Sequence, residues 1–331
     1  MTATALRSGL SVNPPRSVLE RPVFSISDRI WRWRDVLGAG RHWGDLAALE
    51  RQAAEGIAAL DRAATVGPPI DEAEIDAEEE RFRHENKLLA ADDMAAWLAR
   101  WELAYSDWVA YGSRGLARER LDGRLEEAIA TYPPERARVA DALWPETVCS
   151  GALAEWAWKL AGQLASADAL GVSPGSELAE IEQASEERLT RSLTPQATAR
   201  ALEARRADWV EVECTVLELH DEGMAREAAL CVAEEGMSLA EIAHRAGVQI
   251  AERTLSVEEA GPELAQPLLG ATAGDVVGPV RVGDRFVFAA VHGKRAPSLD
   301  DPVVQTRVRE EVRRRAIDTE IGKRISWHER P

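Results

Sequence analysis

The sequence predicts an α+β protein: a mostly α-helical N-terminal region, then a small α+β domain and a C-terminal helix. Three observations carry that reading. Apolar residues recur at three- and four-residue spacing from about residue 27 to residue 207, the period of amphipathic helices. From Trp209 the pattern becomes an apolar–polar alternation, WVEVECTVLEL, the period of a half-buried strand. After the stretch Ser298-Leu-Asp-Asp-Pro302 a helical run returns and extends to about Ile321, followed by the short segment Arg324-Ile-Ser-Trp327.

Taken in order, residues 1–25, with Asn13-Pro14-Pro15 and little periodicity, read as a flexible arm. Ser27-Asp28 is placed to cap a first helix carrying Ile30, Trp31, Trp33, Val36 and Leu37. A second helix runs over about 43–64, with Leu46, Leu49, Ala53, Ile57 and Leu60 on one face, until Val66-Gly67-Pro68-Pro69 breaks it. Residues 71–121 are helical throughout. Their acidic start, IDEAEIDAEEERFRHENKLL, suits the positive end of a helix dipole. Met94, Trp97, Leu98 and Trp101 share a face, and Ser106-Asp107 precedes a helix bearing Trp108, Val109, Tyr111 and Leu116. Tyr132-Pro133-Pro134 separates these from helices over 151–170, 176–193 and 195–207. Nine of the 11 tryptophans precede residue 205, and at helical spacing they read as helix–helix packing because each buries a large area.

The α+β domain starts with a strand at 209–219. A helix from Asp221 to about Gly236 turns Met224, Ala228, Cys231 and Val232 inward. Ser238 caps a shorter helix that Gly247 closes. Then come a strand over 248–255, a short helix over 262–269, the pair Gly274-Asp275, and two strands within 280–291 that turn at Gly283-Asp284. The expected boundaries are an arm at 1–25, a helical region at 26–204, the α+β domain at 205–297, and a C-terminal helix and strand at 298–331 that pack back on the helical region.

Composition limits the partners. The net charge of −17 is uneven: +2 over residues 1–66, −13 over 67–204 and −6 over the rest. An acidic middle opposes phosphate-backbone binding, which draws its affinity from Lys and Arg, so no nucleic-acid partner is expected. It suits either solubility alone or a cationic or neutral client. There is no apolar run of the ~18 residues a membrane span needs and no apolar signal core, so the reading is bacterial cytoplasm without membrane attachment. Cys149, Cys214 and Cys231 have no metal-ligand spacing, and the six histidines include no His-x-x-x-His pair. With no phosphate-cradling glycine loop or nucleophile elbow either, no metal and no cofactor are expected.

One stretch points further. PELAQPLLGATAGDVVGPVRVGDRFVFAAVHGKRAP resembles the second half of PpiC-type (parvulin) prolyl isomerases. Gly274-Asp275-Val276 matches the family's turn, and Gly278-Pro279-Val280 matches the approach to its hairpin. Upstream, EEGMSLAEIAHRAG resembles the family's preceding helix, with Leu239, Ile242 and Ala243 in the apolar places. The acidic helix around Arg83, the Met-x-x-Trp-Leu helix and the Trp108 helix resemble the N-terminal chaperone region of SurA-type proteins. The overall layout resembles accessory proteins of bacterial ribosomal-peptide maturation systems.

The resemblance implies a catalytic cluster: a His on the first strand, a Cys or Asp after the helices and a second His in the hairpin. These surround a twisted prolyl amide and lower a rotation barrier of roughly 18–20 kcal/mol. In this chain the first position falls at about Thr215, the hairpin Gly-x-His reads Gly283-Asp284-Arg285, and Gly247 leads almost directly into Val248-Gln249-Ile250 where the Cys or Asp loop belongs. The Met and Phe walls of the proline pocket correspond to Ala260 and Leu264. Losing acid–base and hydrogen-bonding groups together removes most of a catalytic rate. The expected activity is therefore peptide binding, with Leu264, Leu268, Leu269, Phe286 and Phe288 in an apolar groove beside a sheet edge. The client would be a peptide or unfolded polypeptide, in the sharpest form a precursor peptide presented to its modifying enzymes. Three alternatives stay open. One is an enzyme acting on such a peptide through Glu211, Glu213, Cys214, Thr215 and Arg285; the others are residual prolyl isomerase activity and a general holdase.

Overall fold

The computed structural model describes residues 12–121 and 123–329. By its internal contacts the chain divides into two units, Met1–Arg188 with Ile317–Pro331, and Leu189–Ala316. The class is α+β, with helices predominating and two small antiparallel sheets.

The first unit opens with α1 (Arg16–Glu20) and a hairpin of β1 (Pro22–Ile26) and β2 (Arg29–Arg32). This corrects two expectations. Of the expected arm, residues 1–11 lie outside the described residues, but beyond them Val18, Val23 and Phe24 are buried in an ordered helix and strand. Ser27-Asp28 makes the hairpin turn, with Ser27 at φ 52°, and caps no helix. The physical reason is cross-strand pairing. Phe24 lies opposite Trp31 with rings stacked at 6.2 Å, a contact worth roughly 0.2–1 kcal/mol that a helix at Ile30 and Trp31 would forgo. The helix α2 (Trp33–His42) begins only where the Asp35 carboxylate accepts the Arg32 N–H at 2.8 Å.

Seven helices follow: α3 (Asp45–Val66), α4 (Glu72–Glu85), α5 (Asp93–Arg100), α6 (Tyr105–Arg120), α7 (Leu125–Thr131), α8 (Arg136–Cys149) and α9 (Ala152–Asp168). After them α10 (Leu178–Ser192) begins in the first unit and ends in the second. The sequence reading assigns no element to α8. Residues 142–149 are buried on every side, so no polar face marks the helical period, and Pro145 interrupts the run from within. Five of the tryptophans, Trp33, Trp97, Trp101, Trp108 and Trp144, pack between helices, whereas Trp31 lies on β2 and Trp158 is exposed. Trp33, Trp101 and Trp144 stand edge-to-face in series, with ring centroids 5.0 and 6.3 Å apart. Phe82 meets Trp97 and Trp108 the same way at 5.2 and 5.7 Å. Each such pair contributes about 0.5–1.5 kcal/mol beyond area burial.

The second unit carries α11 (Pro195–Ala204), β3 (Glu211–Leu219), α12 (Glu222–Glu235), α13 (Leu239–Ala246), β4 (Ile250–Ser256), α14 (Pro262–Gly270), β5 (Val276–Val282) and β6 (Arg285–Arg295). The C-terminal helix α15 (Pro302–Arg324) starts in this unit and ends in the first. There the final strand, β7 (Ile325–Trp327), pairs antiparallel with β1, giving the order β2-β1-β7.

The second unit's sheet is antiparallel throughout, in the order β4-β3-β6-β5. Alternation divides its side chains between two faces. On one, Val212, Cys214 and Val216 pack with Val287, Ala289 and Val291 against Leu264 and Leu268 of α14. On the other, Leu217, Leu219 and Phe288 pack against α12 and α13. Gly278 has a structural need for glycine: at φ 125°, a Cβ would lie 2.6 Å from the Val287 carbonyl oxygen. Ser238 and Glu241 form a capping box at the start of α13, the hydroxyl accepting from the Glu241 N–H at 3.3 Å and the carboxylate from the Ser238 N–H at 2.8 Å. Ser238→Ala is expected to lower the stability of this unit by about 1 kcal/mol in urea unfolding, with an unchanged denaturant slope.

Candidate functional site

The strand register decides which of the candidate residues meet. Cys214 and Thr215 are neighbours in β3, so their side chains leave opposite faces of the sheet. Cys214 is 1% exposed in the apolar layer over α14, and burial pushes its thiol further above the usual range, which disfavours the nucleophilic thiolate. Arg285 shares that face by register, but its guanidinium is bound to Glu218 at 2.6 Å, roughly 14 Å of strand away from Cys214. Glu213 is exposed and lies on the Thr215 face, opposite Thr254 and Gly293. Glu211, at the start of the strand, is ion-paired with Arg295, Nε to Oε2 2.9 Å. The cleft candidates therefore occupy both faces and opposite ends of the sheet.

The residues expected to line an apolar groove divide in the same way. Leu264 and Leu268 belong to the α14 face, with Leu269 half-buried beside them. Phe288 and half-buried Phe286 belong to the α12–α13 face. Leu268 is 1% and Phe288 0% exposed. They are core side chains, consistent with the stabilisation of ~1.5–3 kcal/mol that full burial gives a residue of this size. Ala260 packs against the same cluster as Leu264.

What the sheet does assemble is a polar cluster on the Thr215 face. The Thr215 hydroxyl lies 2.7 Å from Glu252 Oε1 on β4 and 2.6 Å from His292 Nε2 on β6. His292 Nε2 stands 3.6 Å from Glu252 Oε2. A hydroxyl has one proton to give: when Thr215 donates to the carboxylate, it accepts from the imidazole N–H. That proton is thereby committed, and Thr215 is 7% exposed, whereas both partners reach solvent. The arrangement ties three strands together and leaves Glu252 and His292 available at the surface. Sequence reasoning missed both. Their signal lay in the pairing: Glu252 is the direct partner of Thr215, and a bulge between Glu213 and Cys214 brings His292 alongside.

Next to this cluster the sheet ends at β4. The pairing of β4 with β3 is regular from Glu211↔Ser256 to Leu217↔Ile250 and contains no proline. The Val257 N–H bonds to the Val210 carbonyl at 3.0 Å, so by antiparallel alternation Val257, Leu255, Arg253 and Ala251 point their backbone groups at β3. Ile250, Glu252 and Thr254 point theirs outward. The next outward N–H, of Ser256, is already taken by the Glu259 carboxylate at 2.9 Å. The opposite edge, β5, is broken by Gly278-Pro279 and a register shift. One edge is thus straight and open over about six residues, and the other is blunted.

Among the described residues no group of three or more His, Cys, Asp or Glu is placed to hold a metal ion, and no helix is long and apolar enough to cross a membrane. No family model and no curated protein matches the chain. Among solved structures it is similar to the foldase protein PrsA of Streptococcus pneumoniae, at 12% identity over 92% of each chain with a TM-score of 0.32. It is also similar to PrsA of Lactococcus lactis, at 7% identity over 94% of this chain and 96% of that one, TM-score 0.32. A third similar chain comes from the structures of PEB4 and Cj1289, SurA-like chaperones of Campylobacter jejuni. It is 11% identical over 92% of this chain and 98% of that one, TM-score 0.21. TM-scores this low do not establish a shared fold.

Proposed function

We propose that this chain binds polypeptide in extended form, as an accessory or chaperone-like protein, and that the second unit adds the client as a fifth strand on β4. One observation carries the reading: the outward-facing backbone groups of Ile250, Glu252 and Thr254 form an unblunted edge. About six residues of edge span roughly 20 Å, room for a short peptide segment. Glu252, on the edge strand itself, carries an exposed carboxylate that supplies a polar contact to distinguish clients. The sequence resemblance supplies the finer part of the proposal: a precursor peptide of a ribosomal-peptide maturation system, held in the bacterial cytoplasm for its modifying enzymes. Efficient prolyl isomerisation is not part of it, because the Thr215 hydroxyl is engaged and Cys214 is buried on the other face.

Thr254→Pro tests the edge. It deletes an outward N–H and leaves the ladder to β3 untouched, so urea unfolding should shift little while affinity for a panel of extended peptides falls about tenfold or more. Peptide affinity that survives the substitution would place binding elsewhere. Turnover in a prolyl-isomerisation assay, lost on His292→Ala, would replace the binding reading with a catalytic one.

A further inference from the structure

The open edge at β4 presents side chains as well as backbone, and register assigns each of them to a face. Ala251 is opposite Val216, Arg253 opposite Cys214 and Leu255 opposite Val212, so these three stand on the α14 face. Ile250 is opposite Leu217, Glu252 opposite Thr215 and Thr254 opposite Glu213, so these stand on the Thr215 face. Two consecutive edge residues of opposite charge, Glu252 and Arg253, therefore point to opposite sides of the sheet.

Both charges are free to take a partner from beyond the edge. Arg253 is exposed, and among the described residues no ion pair or hydrogen bond holds its guanidinium. The Glu252 side chain is 71% exposed, and accepting from Thr215 leaves lone pairs on both of its oxygens. His292, 3.6 Å from Oε2, reaches it from the β6 side and not from the open edge. Glu213, exposed on the same face opposite Thr254, adds a second negative charge there.

An added strand places one residue directly opposite each of these. Directly opposed unlike charges stabilise a strand pair, and like charges destabilise it. At the two ends of the edge Ile250 is 36% exposed and Leu255 half-buried, so apolar partners remove further surface from water. The sheet is antiparallel throughout, and antiparallel pairing is the slightly more stable form.

We propose, resting on strand addition at β4, that the clients of this edge are antiparallel segments in which an acidic residue is followed directly by a basic one, between apolar or β-branched residues. The acidic residue pairs with Arg253 on the α14 face and the basic residue with Glu252 on the Thr215 face. A segment Val-Thr-Glu-Lys-Val-Val meets Leu255, Thr254, Arg253, Glu252, Ala251 and Ile250 in turn.

Three acetylated and amidated hexapeptides of equal net charge test this by magnetic-resonance titration of the full chain: Val-Thr-Glu-Lys-Val-Val, its swapped form Val-Thr-Lys-Glu-Val-Val, and uncharged Val-Thr-Gln-Gln-Val-Val. The Glu-Lys peptide should bind about tenfold tighter than the swapped one at low salt, with the uncharged peptide between them. In about 0.5 M salt the gap should narrow. Arg253→Glu should bring the Glu-Lys peptide down to the uncharged one or below it. Glu252→Gln, which keeps an acceptor for Thr215, should cut its advantage about threefold. Neither substitution should change binding of the uncharged peptide, whereas Thr254→Pro should weaken all three. Equal affinities for the three peptides, or a preference for the swapped one, would overturn the proposal and leave strand addition standing so long as Thr254→Pro still weakens binding. A Glu-Lys preference that survives Arg253→Glu would overturn it as well. Binding of none of the peptides, or binding indifferent to Thr254→Pro, would overturn both the client pattern and the edge.

Discussion

Glu146→Leu is expected to destabilise the chain by about 3–5 kcal/mol, and Arg114→Met in the same molecule to restore most of the loss. The two side chains are 3% and 7% exposed, and one carboxylate oxygen takes both contacts from the guanidinium. Removing the carboxylate alone leaves a permanent positive charge buried between helices, because Arg114 cannot shed its proton. Removing both leaves apolar groups of similar volume and no buried charge. A double-mutant cycle in urea separates the cases. A single-variant loss under 1 kcal/mol would mean that water reaches the pair. The pair also has a pH signature. Burial raises the Glu146 carboxyl in the folded chain, so above the ordinary carboxylate value the unfolded chain ionises first. The stability difference between the parent chain and Glu146→Leu therefore shrinks as pH rises from that value through the raised one, and is flat beyond it.

Nothing in the sequence announces that pair. The partners are 32 positions apart on different helices, and only packing brings them together. What is legible is local. The faces of α3 and α5 follow from leucine, alanine and tryptophan spacing, and β3 from its alternation. Ser238 and Gly247 mark the ends of α13 by their capping chemistry. The hairpin of β1 and β2 was hidden because Ile30 and Trp31 fit a helical face as well as a strand, and a partner strand decides between them. The candidate site shows the same limit. Alternation alone separates Cys214 from Thr215, yet the resemblance to a catalytic cleft gathers them into one place. The partners Thr215 does have, Glu252 and His292, are set by register across three strands, which no spacing along one strand reveals.

Close approach of helices is equally silent in sequence, and it gives two helical glycines opposite expected effects. Gly40→Ala should destabilise the chain by about 3 kcal/mol, at the upper end for overpacking, whereas Gly115→Ala should stabilise it by about 0.5–1 kcal/mol. In an open helix the exchange favours alanine, which loses less backbone freedom on folding. Gly115 on α6 is such a place. Gly40, however, is where α2 crosses α9: an added Cβ would stand 2.4 Å from Trp156 Cε3, 2.6 Å from Cδ2 and 2.7 Å from Cζ3. The indole is 3% exposed and packed on all sides, so it cannot turn aside, and the helices must separate instead. Denaturation of the two alanine variants side by side reads the sign directly. Adding Trp156→Leu to Gly40→Ala should then cost less than Trp156→Leu does in the parent chain, because the methyl partly fills the space the ring vacates. If Gly40→Ala instead stabilises the chain as Gly115→Ala does, α2 and α9 do not approach as closely as the Trp156 contact requires.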